Sequence, residues 1–290
     1  MKITAPYGYD EIVPLLKSYR VLMPAGTTPA FCRGLNAIAI SSAEFNAAAR
    51  DYPIVFASLN RGKSFAPVIV VGLAEGANLF VGAAGEWDPA AYFPASVRRY
   101  PFCISKLYVD GEAKSERVVC VAKAYVDDAG MPLFDAQGKA TARWQTAERL
   151  LSEYEADLDR TAQMCAALAR LQLFEPFTMQ VMSEANRPQV RLAGMHRVSE
   201  ARLRDLKPAS HKVLVAKGFM GLIYAHLHAL ENFQGLVARQ ASRGRPQRSG
   251  ASADDSPRGV ARRSKVASAA SSTTPRWPST MLSTSVNVAP

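Results

Sequence analysis

The chain has 290 residues, 48% of them hydrophobic and 21% charged, which allows one large domain or two small ones with a sizeable core. Its formal charge of +10 suggests a nucleic-acid partner only until the charge is located. From Arg239 to Pro290 nine Lys or Arg residues face two acids, whereas residues 1–238 hold 26 bases and 23 acids, so the body is nearly balanced at +3 and gives no support to a nucleic-acid partner.

The amino-terminal stretch is interrupted by Pro6, Asp10, Glu11 and Pro14 and has no apolar run of signal-peptide length. Cytoplasmic residence is the default expectation. Residues 36–40 (NAIAI) predict a short strand, and Ser41 with Glu44 forms a capping-box pattern for a short helix through Arg50. Residues 53–57 (PIVFA) and 67–71 (PVIVV) are β-branched runs, each opened by a proline that a strand tolerates at its first residue. Residues 78–81 and 118–126 predict further strands, with turns at Gly130 and at 135–138.

The period then changes. Leu150, Tyr154, Leu158, Thr161, Cys165 and Leu168 recur every three or four residues and predict one face of a long helix over 141–173. Residues 189–195 predict a strand, and Ser199 caps a short helix over 200–206. A final helix is expected over 211–237. Its apolar segment 213–230 approaches membrane-spanning length, but Lys217, His226 and His228 within it favour a buried core helix, so no transmembrane span is expected.

From Arg239 through Arg276 the chain has no Leu, Ile, Phe or Tyr, and such a segment cannot bury enough apolar surface to offset its ordering entropy. The expected organisation is one domain over residues 1–238 and a basic disordered tail over 239–290. Eight arginines against one lysine in that tail also fit out-of-frame translation. An RNA-binding tail is the weaker reading, because its arginines lack interleaved aromatics before Trp277.

Residues 76–102 (GANLFVGAAGEWDPAAYFPASVRRYPF) combine six aromatic rings with two adjacent arginines. Arg98 and Arg99 suit a carboxylate or phosphate, with Glu86, Trp87 and Tyr100 as neighbours in a candidate ligand site. The structural alternative pairs one arginine with Glu86 or Asp88 and stacks the other on Trp87 or Tyr100. Glu86 and Asp88 share a face if extended, but Asp88 precedes Pro89 and so favours a turn over acid–base work. His226 and His228 are two apart on a helix and cannot chelate together, so no metal site is expected. No GxGxxG, GxxxxGK or GxSxG pattern occurs, and no cofactor is expected. Cys32, Cys103, Cys120 and Cys165 have no paired spacing and are expected as core thiols.

The pieces YPIVF at 52–56, NLFV at 78–81, GEW at 85–87, YFPA at 92–95 and RRYPF at 98–102 run in a specific order. LFD at 133–135, LAGM at 192–195, GFM at 218–220 and IYAHL at 223–227 continue it. Together they resemble the SapC family of bacterial proteins over about residues 7–237, with departures around Cys32 and in the tail. The resemblance implies a link to bacterial surface layers and brings no reaction or catalytic residue set. A peptide-transporter permease shares the name, but a permease needs several transmembrane helices and this chain offers at most one candidate.

Strands before residue 140 and helices after it predict an α+β domain, a mostly antiparallel sheet packed with carboxy-terminal helices. Two functions are carried forward. The first is a non-catalytic accessory or binding protein linked to the cell surface, with cell-surface components as partners. The second is a protein or enzyme that takes a small anionic ligand in an Arg/aromatic pocket near residues 86–100. A pocket there favours the second; a filled core favours the first.

Overall fold

The structure, a computed structural model, describes residues 2–3, 5–24, 28–109, 112–182 and 188–243. In chain order the first elements are β1 (Lys2–Ile3), β2 (Ile12–Pro14), β3 (Arg20–Val21), β4 (Ala37–Ala39), α1 (Phe45–Ala48), β5 (Ile54–Leu59) and β6 (Ser64–Val70). Then come α2 (Ala95–Arg98), β7 (Phe102–Val109), β8 (Glu112–Ala122), β9 (Met131–Pro132) and α3 (Ala142–Arg170). The chain continues through β10 (Phe174–Met182), β11 (Pro188–Val198), α4 (Glu200–Arg204), α5 (Pro208–Ala216), α6 (Phe219–Ala229) and α7 (Phe233–Arg243). The fold is α+β, with antiparallel sheets concentrated in the first half and helices dominating the second.

Strand order is β10-β11-β5-β6-β4 in the largest sheet, β1-β7-β8-β2 in a second, and β3-β9 in a small third. Every pairing is antiparallel. The predicted strand at 36–40 appears as β4, and the Ser41/Glu44 capping box forms, followed by a 3-10 turn and α1. Pro53 precedes β5 as expected, but Pro67 sits inside β6 and does not open it. There β6 outruns β4, so the missing N–H faces Ile40 beyond the end of β4, and the Pro67 carbonyl still accepts from Ile40 N–H at 3.3 Å.

Residues 78–81 are not a strand. Asn78 ties the segment into a turn by accepting from Phe80 N–H (2.9 Å) and donating to the Cys32 carbonyl (2.9 Å), leaving only an isolated Val81–Trp87 bridge. Gly72 is required nearby, because a Cβ there would lie 1.6 Å from the Ala77 carbonyl oxygen.

Helix α3 links two cores. Thr141 caps it by accepting from Trp144 N–H. Its first half sends Trp144 and Leu151 into a cluster with Val21, Phe102, Val121 and Leu133, while Met164, Cys165 and Leu168 pack on the largest sheet. Thr161 is held on that seam, accepting from Ser42 N–H at 2.7 Å and donating to the Asp157 carbonyl at 2.6 Å. The buried stripe runs through Leu151 rather than Leu150, a displacement that matters for the site below.

The single helix expected over 211–237 is broken. Gly218 has φ +71 and separates α5 from α6, and the α5 axis lies at 88° to the helical run that follows. Val213 and Val215 on α5 are exposed, and α5 adds only Leu214 to the core, which α6 fills through Phe219, Ile223, His226 and Ala229 and α7 through Phe233 and Leu236. No single helix among the described residues is long and apolar enough to cross a membrane. Helix α7 carries the fold past Ala238 to Arg243, and Arg239 and Arg243 contact the body. The segment beyond Arg243, which holds most of the tail expected to be disordered, lies outside the described residues.

Candidate functional site

The five residues proposed as one site divide among three environments. Trp87 belongs to a filled core. Its indole N–H donates to the Tyr52 hydroxyl at 3.1 Å, and Tyr52 donates in turn to the Tyr92 carbonyl at 2.5 Å. The ring stacks on Phe80 at 6.4 Å and lies 5.3 Å from Phe93, so it meets protein on its flanks and has its polar atom satisfied.

Glu86 is exposed, with its carboxyl folded over Gly82, where a Cβ would meet Oε1 at 2.0 Å. It lines a cavity of about 530 Å³ between the turn 79–89 and α7. The cations there are engaged. Arg239 pairs with Asp88 at 2.7 Å and lies 4.2 Å above the Phe80 ring, while Arg243 donates to the Asn78 and Val81 carbonyls. Burial pushes the Asp88 carboxyl up, but Arg239 and the Ala90 N–H outweigh it and hold the group below the usual carboxylate range. The structural alternative thus found the right role for Asp88 with the wrong arginine.

Arg98 and Arg99 close α2, where successive side chains diverge around the helix. Glu44 sets that helix in place: it is buried, accepts from Ser41 N–H at 2.8 Å, and accepts from Ala95 N–H at 2.7 Å at the start of α2. It also accepts from the Tyr92 hydroxyl at 3.1 Å, and the exposed Arg98 donates to that hydroxyl at 3.2 Å. Burial, with the Glu44 carboxylate, pushes the Tyr92 phenol up to about 12, so it remains a donor.

Arg99 turns inward and is buried. It lies 4.8 Å from the Tyr154 ring and 3.6 Å from Glu155, which Arg117 holds more closely at 2.6 Å. Burial raises the Glu155 carboxyl despite both guanidiniums. Arg99 Nε is buried without a hydrogen-bond partner. Tyr100 is half-buried among Tyr9, Phe31 and Tyr125, with ring centroids at 4.9, 5.6 and 5.1 Å.

Arg98, Arg99 and Tyr100 line a cleft of about 670 Å³ against the first turns of α3, within the roughly 300–1,000 Å³ typical of small-molecule sites. Met23, Phe102, Ala147 and Leu150 provide apolar walls, and Arg143, Arg149 and Glu153 stand at the solvent side. Arg143 reaches only the Met131 thioether, and neither Arg143 nor Arg149 has an ion pair among the described residues. The cleft therefore offers three exposed guanidiniums against one exposed carboxylate, with a fourth guanidinium behind them. Arg143 and Arg149 were not among the residues singled out from sequence. Their signal was the pair Leu150–Leu151: Leu151 is buried, whereas Leu150 is half-buried at the edge of the stripe and lines the cleft beside them.

Other candidates resolve as structure. His226 is buried on α6, where its Nε2 accepts from Val198 N–H at 3.1 Å, so Nδ1 carries the proton and donates to the Ile54 carbonyl at 2.8 Å. His228 is exposed on another face, and no group of three or more His, Cys, Asp or Glu among the described residues is placed to hold a metal. All four cysteines are buried and free. Cys103 and Cys120 face each other in the β7–β8 ladder, and burial pushes Cys103 up to about 12 and Cys120 to about 11, so both stay thiols.

Comparison with curated proteins and with solved structures returns no match. The SapC family model matches residues 20–236, which include both cores, the cleft and the Trp87 turn. The chain belongs to the SapC family.

Proposed function

We propose that this protein binds a small anionic ligand in the cleft between α2 and the first turns of α3, and acts as a binding protein without a reaction of its own. One observation carries the reading: Arg98, Arg143 and Arg149 all line a cavity of ligand size and have no ion pair among the described residues. Three guanidiniums held near one another repel, and an anion between them relieves that repulsion while accepting charge-assisted hydrogen bonds. The cleft assembles no nucleophile–base pair, which is why binding is preferred to catalysis. The expectation of a bacterial cell-surface setting rests on the family resemblance alone.

Native mass spectrometry of the freshly purified full chain tests the proposal. A co-purified or added anion is expected to be retained by the wild type and lost from an Arg143→Ala/Arg149→Ala variant that melts at the same temperature. Retention by that variant overturns the assignment of the cleft.

A further inference from the structure

We infer that the ligand is an amphiphilic anion: an acyl or aryl body carrying one carboxylate or phosphate head. This rests on the reading of the cleft as an anion site and goes further by fixing which end of the ligand lies where.

The cleft has an orientation. At about 100° per residue, Ala147, Leu150 and Arg143 fall beside the buried stripe of Trp144, Leu151 and Tyr154, whereas Arg149 and Glu153 fall on the far side of α3. Burial follows the same order. Phe102 is buried, Met23, Tyr100, Ala147 and Leu150 are half-buried, and Arg98, Arg143, Arg149 and Glu153 are exposed. A ligand entering here meets guanidinium first and hydrocarbon behind it.

Sugar phosphates and nucleotides fit this gradient poorly, because their hydroxyls need polar partners once out of water. Thr146 is the one neutral hydroxyl that α3 contributes to the lining, and it already donates to the Ala142 carbonyl at 3.0 Å. Tyr100 packs edge-on against Tyr125, with ring centroids 5.1 Å apart. Small inorganic anions leave the apolar walls wet. An apolar body against Met23, Phe102 and Leu150, with its head among Arg98, Arg143 and Arg149, uses both halves of the cleft. The charged rim is matched by a fatty acid or by a phospholipid headgroup, since both present an anion on hydrocarbon.

Calorimetric titration of the full chain with acetate, hexanoate, decanoate and inorganic phosphate, below micellar concentrations, separates these cases. A parallel arm uses phosphatidylglycerol vesicles. Affinity is expected to rise by up to about fourfold per added methylene from hexanoate to decanoate. It should fall at least tenfold in Arg149→Glu, whose site is exposed, and the chain-length dependence should flatten in Leu150→Asn. Arg239→Ala, outside the cleft, should leave binding unchanged. Vesicle binding in addition to decanoate binding assigns the source as a lipid headgroup, and decanoate binding alone assigns a free acid.

Equal affinity for acetate and decanoate overturns the amphiphile and leaves the anion site standing. No binding of any probe overturns both. Chain-length dependence that survives both Arg149→Glu and Leu150→Asn, or vesicle binding without decanoate binding, overturns the placement in this cleft.

Discussion

Trp87 and Arg98 lie in one short aromatic stretch, and the molecule uses them in opposite ways. Around Trp87 the space is filled: indole, Tyr52, Phe80 and Phe93 close on one another, and the nearby cations Arg239 and Arg243 hold acid or carbonyl oxygens. Around Arg98 the space is open, and three exposed arginines line it against one exposed acid, Glu153. The difference shows that arginine and aromatic content does not itself mark a site. What separates ligand chemistry from packing is whether the cation's partners are already supplied by the fold.

This contrast predicts that damage to the Trp87 side appears in stability and damage to the cleft rim appears in binding. The largest effect is expected from Trp87→Ala, about 3–5 kcal/mol of lost stability in urea unfolding, because a buried ring is removed and the Tyr52 hydroxyl loses a donor. A loss below about 1 kcal/mol would show that this core is not filled.

Next comes Glu155→Ala. It strands the buried Arg99 charge and is expected to cost about 3 kcal/mol, whereas the Glu155→Ala/Arg99→Met double variant should recover part of that loss. Strict additivity of the two single changes would contradict the pairing.

A comparable effect follows from His226, which burial holds down at about 4 against an ordinary 6.5. The unfolded chain takes up a proton at this site below about pH 6.5, while the folded chain resists until about pH 4. The stability is therefore fully present above pH 6.5 and lost as pH falls to 4, amounting to about 3 kcal/mol. The difference in urea midpoint between wild type and His226→Gln should shrink across that window; a constant difference would refute the neutral, doubly bonded imidazole.

Smaller still is Arg239→Ala, expected to cost about 1 kcal/mol and to let the Asp88 carboxyl titrate at higher pH, as measured by NMR. An unmoved Asp88 titration would mean that the α7 contact is not made in solution.

Much of the fold was legible because its signals are local. The Ser41/Glu44 box, the Thr141 start of α3, the compact runs of β4, β5 and β6, and the Asp135–Gly138 turn each depend on neighbours within a few residues. Strands β7 and β10 were missed. Neither has a strict alternation, β10 contains Pro176, and β10 joins the largest sheet only through β11, which pairs with β5 across a long stretch of chain. The break at Gly218 was hidden by continuous apolar composition, since a positive-φ glycine does not interrupt hydropathy.

The candidate site was half legible. Arg98, Arg99 and Tyr100 were found because RRYPF is an unusual sequence, and they line the cleft. Trp87 and Glu86 were grouped with them by proximity along the chain, which the turn at 78–88 and helix α2 undo. Arg143 and Arg149 resemble an ordinary solvated helix face until Leu150 is seen beside them, outside the buried stripe.

The central claim is that the cleft, and not the Trp87 core or the α7 cavity, is where a ligand binds. Titrating the full chain with phosphate and decanoate at low ionic strength, alongside Arg143→Ala/Arg149→Ala and Arg239→Ala, tests it directly. The account predicts at least tenfold weaker binding in the first variant with an unchanged melting temperature, and wild-type affinity in the second. Equal binding in all three proteins, or none in the wild type, would contradict it.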